Sequence, residues 1–114
     1  MLMLVEALIR PQRLQEVKEA LTLIGVKGLT ITDVRGSGRQ KGFTQQFRGR
    51  EYHVSLIQKI KIEVVVLERE ARVVAHAIAD AARTGEIGDG KIFLIPVGAA
   101  IRIRTGDEGR DAVE

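Results

Sequence analysis

Leu56-Ile-Gln-Lys-Ile-Lys-Ile-Glu-Val-Val-Val-Leu67 is the clearest strand in the chain. Ile60, Ile62, Val64 and Val66 fall on one side, and Lys59, Lys61 and Glu63 on the other. That period of two marks a strand with unlike faces. The period then changes. Val73, Val74, Ala77, Ile78 and Ala81 form the apolar side of a helix over Ala71–Arg83, with Gly85 placed to cap it. An apolar strand over Lys91–Val97 follows. Upstream, Leu29–Val34 alternates, with Thr30, Thr32 and Val34 on one face and Leu29, Ile31 and Asp33 on the other. Before it, Leu14, Val17, Leu21 and Ile24 recur at helical spacing. Pro11 suits the first turn of that helix, and Gly25 and Gly28 end it. Leu2–Ile9 is apolar at nearly every position, as in a strand covered on both faces.

The order is βαββαβ. It predicts an α+β, ferredoxin-like fold: an antiparallel sheet with two helices on one face. A short fifth strand is expected over Ala100–Arg104, and a loose polar tail over Thr105–Glu114. Ile60, Val64 and Val66 suggest an apolar sheet face that seeks a partner, for which self-association is the simplest answer. This fold hosts many unrelated functions and names none of them.

Composition narrows the classes. A chain of 114 residues with 45% apolar content is one domain able to bury a core. No apolar run approaches the ~20 residues of a membrane span. Leu2–Ile9 runs straight into Arg10-Pro11 without a cleavage site, so it reads as a strand and not a signal peptide, and the cytoplasm is expected. The chain has no cysteine, hence no disulfide framework or thiolate metal site. Its two histidines, His53 and His76, are too few and too far apart for a His-based zinc site. Aromatic content of 4% weakens any argument for base stacking.

Chemistry concentrates in Arg83-Thr-Gly-Glu-Ile-Gly-Asp-Gly-Lys-Ile-Phe93. Successive backbone N–H groups in a glycine-rich turn can form a concave anion site, and Lys91 adds a fixed positive charge. Gly85, four residues, then Gly90-Lys91 fits most of the P-loop pattern. Ile92, however, replaces the Ser or Thr that would bind magnesium, and the loop runs from helix to strand. It reads as a phosphate loop that is not a P-loop ATPase.

Residues 36–55 show no sustained period, and Gly36, Gly38, Gly42 and Gly49 interrupt them. A loop of this length in a small domain is generally functional or disordered. From Arg35 to Ser55, Arg35, Arg39, Lys41, Arg48 and Arg50 face Glu51 alone, a balance of +4 that exceeds the net +3 of the whole chain.

Four segments together resemble the PII signal-transduction family (GlnB/GlnK type). They are Gly28-Leu-Thr-Ile-Thr-Asp-Val-Arg-Gly-Ser-Gly-Arg-Gln-Lys-Gly42, Phe47-Arg-Gly-Arg-Glu-Tyr52, Thr84-Gly-Glu-Ile-Gly-Asp-Gly-Lys91 and Ile101-Arg-Ile-Arg-Thr-Gly106. The resemblance spans nearly the whole chain. It implies one PII-like domain over 1–114, with a T-loop at about 37–55, a B-loop at about 83–91 and a C-terminal segment at 99–114. It implies a non-enzymatic regulator: a homotrimer binding ATP or ADP between subunits, with 2-oxoglutarate beside magnesium-ATP. The T-loop would dock on nitrogen-metabolism targets such as an ammonium transporter, metabolic enzymes or transcription regulators.

By the same resemblance, Gly88, Asp89, Gly90 and Lys91 match the phosphate loop. Arg102 and Arg104 match two arginines that reach the phosphates from a neighbouring subunit; in a strand, alternation would put both on one face. Thr30 and Val65 match positions lining adenine, and Glu63 one near the ribose. Gly38, Arg39, Gln40 and Lys41 match the T-loop base, where phosphate and 2-oxoglutarate meet the chain, with Gln40 the magnesium ligand. Lys59, with Gly88, matches the 2-oxoglutarate site. Tyr52 matches a uridylylated position, and Arg48 the tip residue that enters transporter pores in one subgroup. The sequence departs from the family at Glu86, where a basic residue is common, at Arg50 in place of Ala or Ser, and at Phe47 in place of tyrosine.

The alternative is an RNA-binding module of RRM type, which shares βαββαβ. Lys41-Gly-Phe43 begins like its signature, but Thr44 and Gln45 break it. No Ser–His–Asp set, thiol or paired carboxylate cluster points to an enzyme.

Overall fold

Leu2–Ile9 forms β1, the strand around which the sheet is organised. The computed structural model describes residues 1–36, 43–47, 50–54 and 56–114, and for 43–47 and 50–54 the description is of the backbone. A single 3₁₀ turn at Pro11–Arg13 leads into helix α1, Leu14–Leu23. Then come β2 (Thr30–Gly36), β3 (Phe43–Phe47), β4 (Arg50–Val54), β5 (Ile57–Leu67), α2 (Glu68–Ala82), β6 (Gly90–Val97) and a short α3 (Arg110–Val113).

The main sheet has the order β2-β5-β1-β6, and its neighbours are all antiparallel. This is the predicted ferredoxin-like arrangement. Its core is one cluster. Val5, Ala7 and Ile9 from β1, with Ile60, Ile62 and Val64 from β5, pack under Val17 and Leu21 of α1 and Val74 and Ile78 of α2. Burying each large aliphatic side chain contributes roughly 1.5–3 kcal/mol. Glu68 and Glu70 in the first turn of α2 complement the partial positive charge of its N-terminus. Helix α1 ends where Gly25 takes φ 89°. There the Val26 N–H reaches the Leu21 carbonyl and the Gly25 N–H the Thr22 carbonyl, both at 3.0 Å. That pair of bonds is a Schellman end, which favours glycine at the left-handed residue.

Four expectations need correction. Ile60, Val64 and Val66 do not seek a partner, because the helices bury them. The open sheet face carries the alternate rows instead, in register: Leu4 with Val65 and Ile95, and Glu6 with Glu63 and Phe93. Phe93 and Ile95 are exposed there. Second, Ala100–Arg104 is not a strand. Ile101 makes one isolated bridge to Glu108, the Arg102 N–H bonds the Asp107 carbonyl at 2.8 Å, and the Gly106 N–H bonds the Arg102 carbonyl at 2.7 Å. The chain therefore closes into a turn, and strand alternation does not pair Arg102 with Arg104. Third, the tail is organised, with α3 following Gly109, whose N–H bonds the Ala100 carbonyl. Fourth, α2 ends before Gly85, as Arg83 is already extended at φ −69°, ψ 129°.

Within the stretch read as one long loop, β3 and β4 pair as a separate two-stranded sheet, with Gln45 opposite Tyr52. Among the described residues, no helix is long and apolar enough to cross a membrane.

Candidate functional site

The loop from Arg83 to Lys91 closes on the carboxylate of Asp89. Asp89 Oδ2 accepts the N–H groups of Thr84 at 2.9 Å and Gly85 at 2.8 Å. Asp89 Oδ1 accepts the Thr84 hydroxyl and, at 3.1 Å, Arg10 Nε. The Thr84 hydroxyl in turn accepts the Glu86 N–H at 3.2 Å. These bonds favour the ionised carboxylate, and the Thr84 hydroxyl is the largest contributor. Asp89 is thereby held far below the usual carboxylate range.

Arg10 grips the loop a second time, and Lys59 joins it. Arg10 Nη2 donates to the Ile87 carbonyl at 2.8 Å, and Lys59 Nζ donates to the Gly88 carbonyl. The topology explains the convergence. Ile9 ends β1 opposite both Ile60 of β5 and Gly90 of β6, so Arg10, Lys59 and the loop meet at one end of the sheet. Lys59 is the one buried charged residue among those described, with 9% exposed. Burial lowers its pKa, Arg10 lowers it further, and Asp89 opposes both. Arg13 Nη2 secures the loop's entrance through the Arg83 carbonyl at 3.0 Å.

Lys59, Gly88, Asp89 and Gly90 are thus brought together, with Lys91 next along β6 and exposed. A second group lies on the open face of the same sheet. Thr30 and Glu63 are direct cross-strand partners, and Val65 follows two residues along. Lys61 and Glu63 form a partly exposed ion pair at 4.0 Å. Gly28 and Val65 also line a cleft of about 510 Å³ with Leu67, Val73, Val113 and Glu114. Arg102 stands at the C-terminal turn, where Nη1 lies 3.7 Å from Asp107 Oδ2 and Nη2 donates to the Glu114 main-chain oxygen at 3.2 Å. Arg104 is exposed. Among the described residues, no hydrogen bond or ion pair joins either arginine to the 83–91 loop.

Gly38, Arg39, Gln40, Lys41 and Arg48 lie outside the described residues, and for Tyr52 only the backbone on β4 is described. Among the described residues no three His, Cys, Asp or Glu side chains gather to hold a metal ion. Arg10, Lys59 and Lys91 concentrate positive charge at the loop, which suits an anion. Sequence reasoning missed Arg10, Arg13 and Thr84. No spacing rule joins Arg10 to partners 77 and 79 residues away.

Residues 2–107 match the family model described as Nitrogen regulatory protein P-II. The chain is 54% identical over 109 residues to the Nitrogen regulatory protein P-II of Synechocystis sp., covering 96% of this chain and 97% of that protein. It is 52% identical over 109 residues to the Rhizobium meliloti protein of the same name, with 96% and 97% covered. Among solved structures it is similar to Arabidopsis thaliana PII bound to citrate, with a TM-score of 0.80 and 41% identity, covering 99% of this chain and 90% of that one.

Proposed function

The chain belongs to the nitrogen regulatory protein P-II family, and we propose that it is a cytoplasmic homotrimeric sensor of ATP or ADP and 2-oxoglutarate. P-II proteins are regulatory signal-transduction proteins and not enzymes. The observation that carries the finer reading is the Thr84–Lys91 loop. It is drawn tight around Asp89 and flanked by Arg10, Lys59 and Lys91. Cations gathered in advance of binding suit a polyphosphate.

In this reading, Gly88, Asp89, Gly90 and Lys91 hold the phosphates of one nucleotide. Thr30 and Val65 flank the adenine, and Glu63 lies near the ribose. Arg102 and Arg104 complete the site from an adjacent subunit. That division accords with their separation from the loop within one protomer. The open sheet row of Leu4, Val65 and Ile95 supplies an apolar surface for the neighbour. Gln40 would ligate a phosphate-bound magnesium ion, which would supply charge neutralisation between phosphate and 2-oxoglutarate. Lys59 pairs with a 2-oxoglutarate carboxylate, beside Gly38, Arg39, Gln40, Lys41 and Gly88. The citrate on the Arabidopsis relative favours a small polycarboxylate at this fold.

The ligands then select among T-loop states over 37–55, in proportion to their differential affinity for each state. Arg48 at the tip engages an ammonium transporter, with metabolic enzymes or regulators as other targets, and Tyr52 is the modification position. The RNA-binding reading is not favoured, because the central strands β1 and β5 carry no aromatic residue on which a base could stack. Calorimetric titration tests the sensor. 2-Oxoglutarate should bind with magnesium-ATP present and not without it, and light scattering should give three times the chain mass. Equal 2-oxoglutarate binding without nucleotide, or a monomer, refutes the reading.

A further inference from the structure

We propose that Arg10 is a positioning residue of the nucleotide-phosphate loop, holding Ile87 and Asp89 in place so that the loop is ready before an anion arrives. This deepens the sensor reading and rests on it. Arg10 lies 77 and 79 residues from its two partners in sequence. It reaches them because Ile9 is the last residue of β1 and is paired on both sides. Pro11 then starts the 3₁₀ turn and fixes the exit of the chain.

The contacts divide the work within one planar group. Nε donates to the Asp89 carboxylate and Nη2 to the Ile87 carbonyl. Lys59 takes the carbonyl of Gly88 between them. Three consecutive residues are therefore held by cations from two other elements, β5 and the end of β1. A guanidinium presents several donors in one plane and can bridge both acceptors at once, whereas an ammonium is a point charge.

The electrostatic consequence follows. A bare carboxylate in a phosphate loop would repel its ligand. Arg10 compensates Asp89, while Lys91 stays exposed and free of any ion pair among the described residues. Ordering the loop in advance also removes an entropic cost from binding.

The test is magnesium-ATP affinity, measured by calorimetry on the full chain, for Arg10→Met, Arg10→Lys, Asp89→Asn and the Arg10→Met/Asp89→Asn double variant. Arg10→Met should weaken ATP about tenfold or more, and Arg10→Lys should recover part of the loss. The double variant should lose less than the sum of the two single losses, because part of the Arg10 effect runs through Asp89. Hydrogen exchange at 84–90 should quicken in Arg10→Met while exchange in β1 and β5 is unchanged. If Arg10→Met does not fold, Arg10→Lys carries the same comparison. Wild-type affinity in Arg10→Met, or additive losses in the double variant, overturns the proposal alone. A wild-type protein that binds no ATP overturns the sensor reading and this inference together.

Discussion

Gly90 and Leu8 meet at a separation that no side chain tolerates: a Cβ on Gly90 would stand 1.7 Å from the Leu8 carbonyl oxygen. Gly90 also has φ 109°, a conformation costly for any residue with a Cβ. Both constraints act where the 83–91 loop enters β6. Gly90→Ala should therefore destabilise the fold by roughly 2–4 kcal/mol through backbone strain and displacement of β1. Denaturant unfolding measures the loss, and a shift below about 1 kcal/mol would contradict the geometry.

Ile62 is fully buried beneath both helices. Ile62→Ala should cost about 2–5 kcal/mol, the range for a large aliphatic truncated in a packed core. Nucleotide affinity of the remaining folded protein should change little, as Ile62 points away from the open face. A parallel loss of affinity and stability would show that core and site are not separable at this position.

The depressed pKa of Asp89 predicts an acid limb. Its folded pKa lies below the ordinary 3.8, so its stabilising contribution is full above that value and is lost as pH falls through the lowered one. The stability difference between wild type and Asp89→Asn should hold constant from neutrality down to about pH 5 and shrink only in stronger acid. Unfolding curves across that range decide it; a difference that grows on acidification reverses the assigned sign.

Lys59 behaves oppositely. Burial and Arg10 favour its neutral form, so its folded pKa lies below 10.5. The strain of its charge is full below the folded pKa and is relieved as pH rises through it toward 10.5. Carboxylate binding at Lys59 should fade over that same alkaline interval and should draw a proton onto the protein. Titrations in buffers of differing ionisation enthalpy detect the uptake. Lys59→Met should abolish both the uptake and the 2-oxoglutarate affinity.

Periodicity made most of the sheet legible, because β1, β5 and the two helices each bury a continuous apolar stripe. It could not say which side of β5 the helices cover. Ile60 and Val64 announce an apolar face, but only the packing of Leu21 and Ile78 shows that face to be the core. The turn at Ala100–Gly109 was hidden for another reason: its bonds, such as Arg102 to Asp107, are local and aperiodic, while Ile101-Arg-Ile-Arg104 alternates like a strand. The β3–β4 hairpin lies among glycines and charges that show no period of two. At the site, the glycines and Lys91 were readable as one loop leading into β6. Arg10 was not, because its partners are distant in sequence and no spacing rule connects them.

Arg10 follows directly on the strand flanked by neighbours along its whole length. The 83–91 turn is therefore tethered to a strand held on both sides. Core substitutions should therefore lower the amount of folded protein in cells before they blunt any response to a ligand.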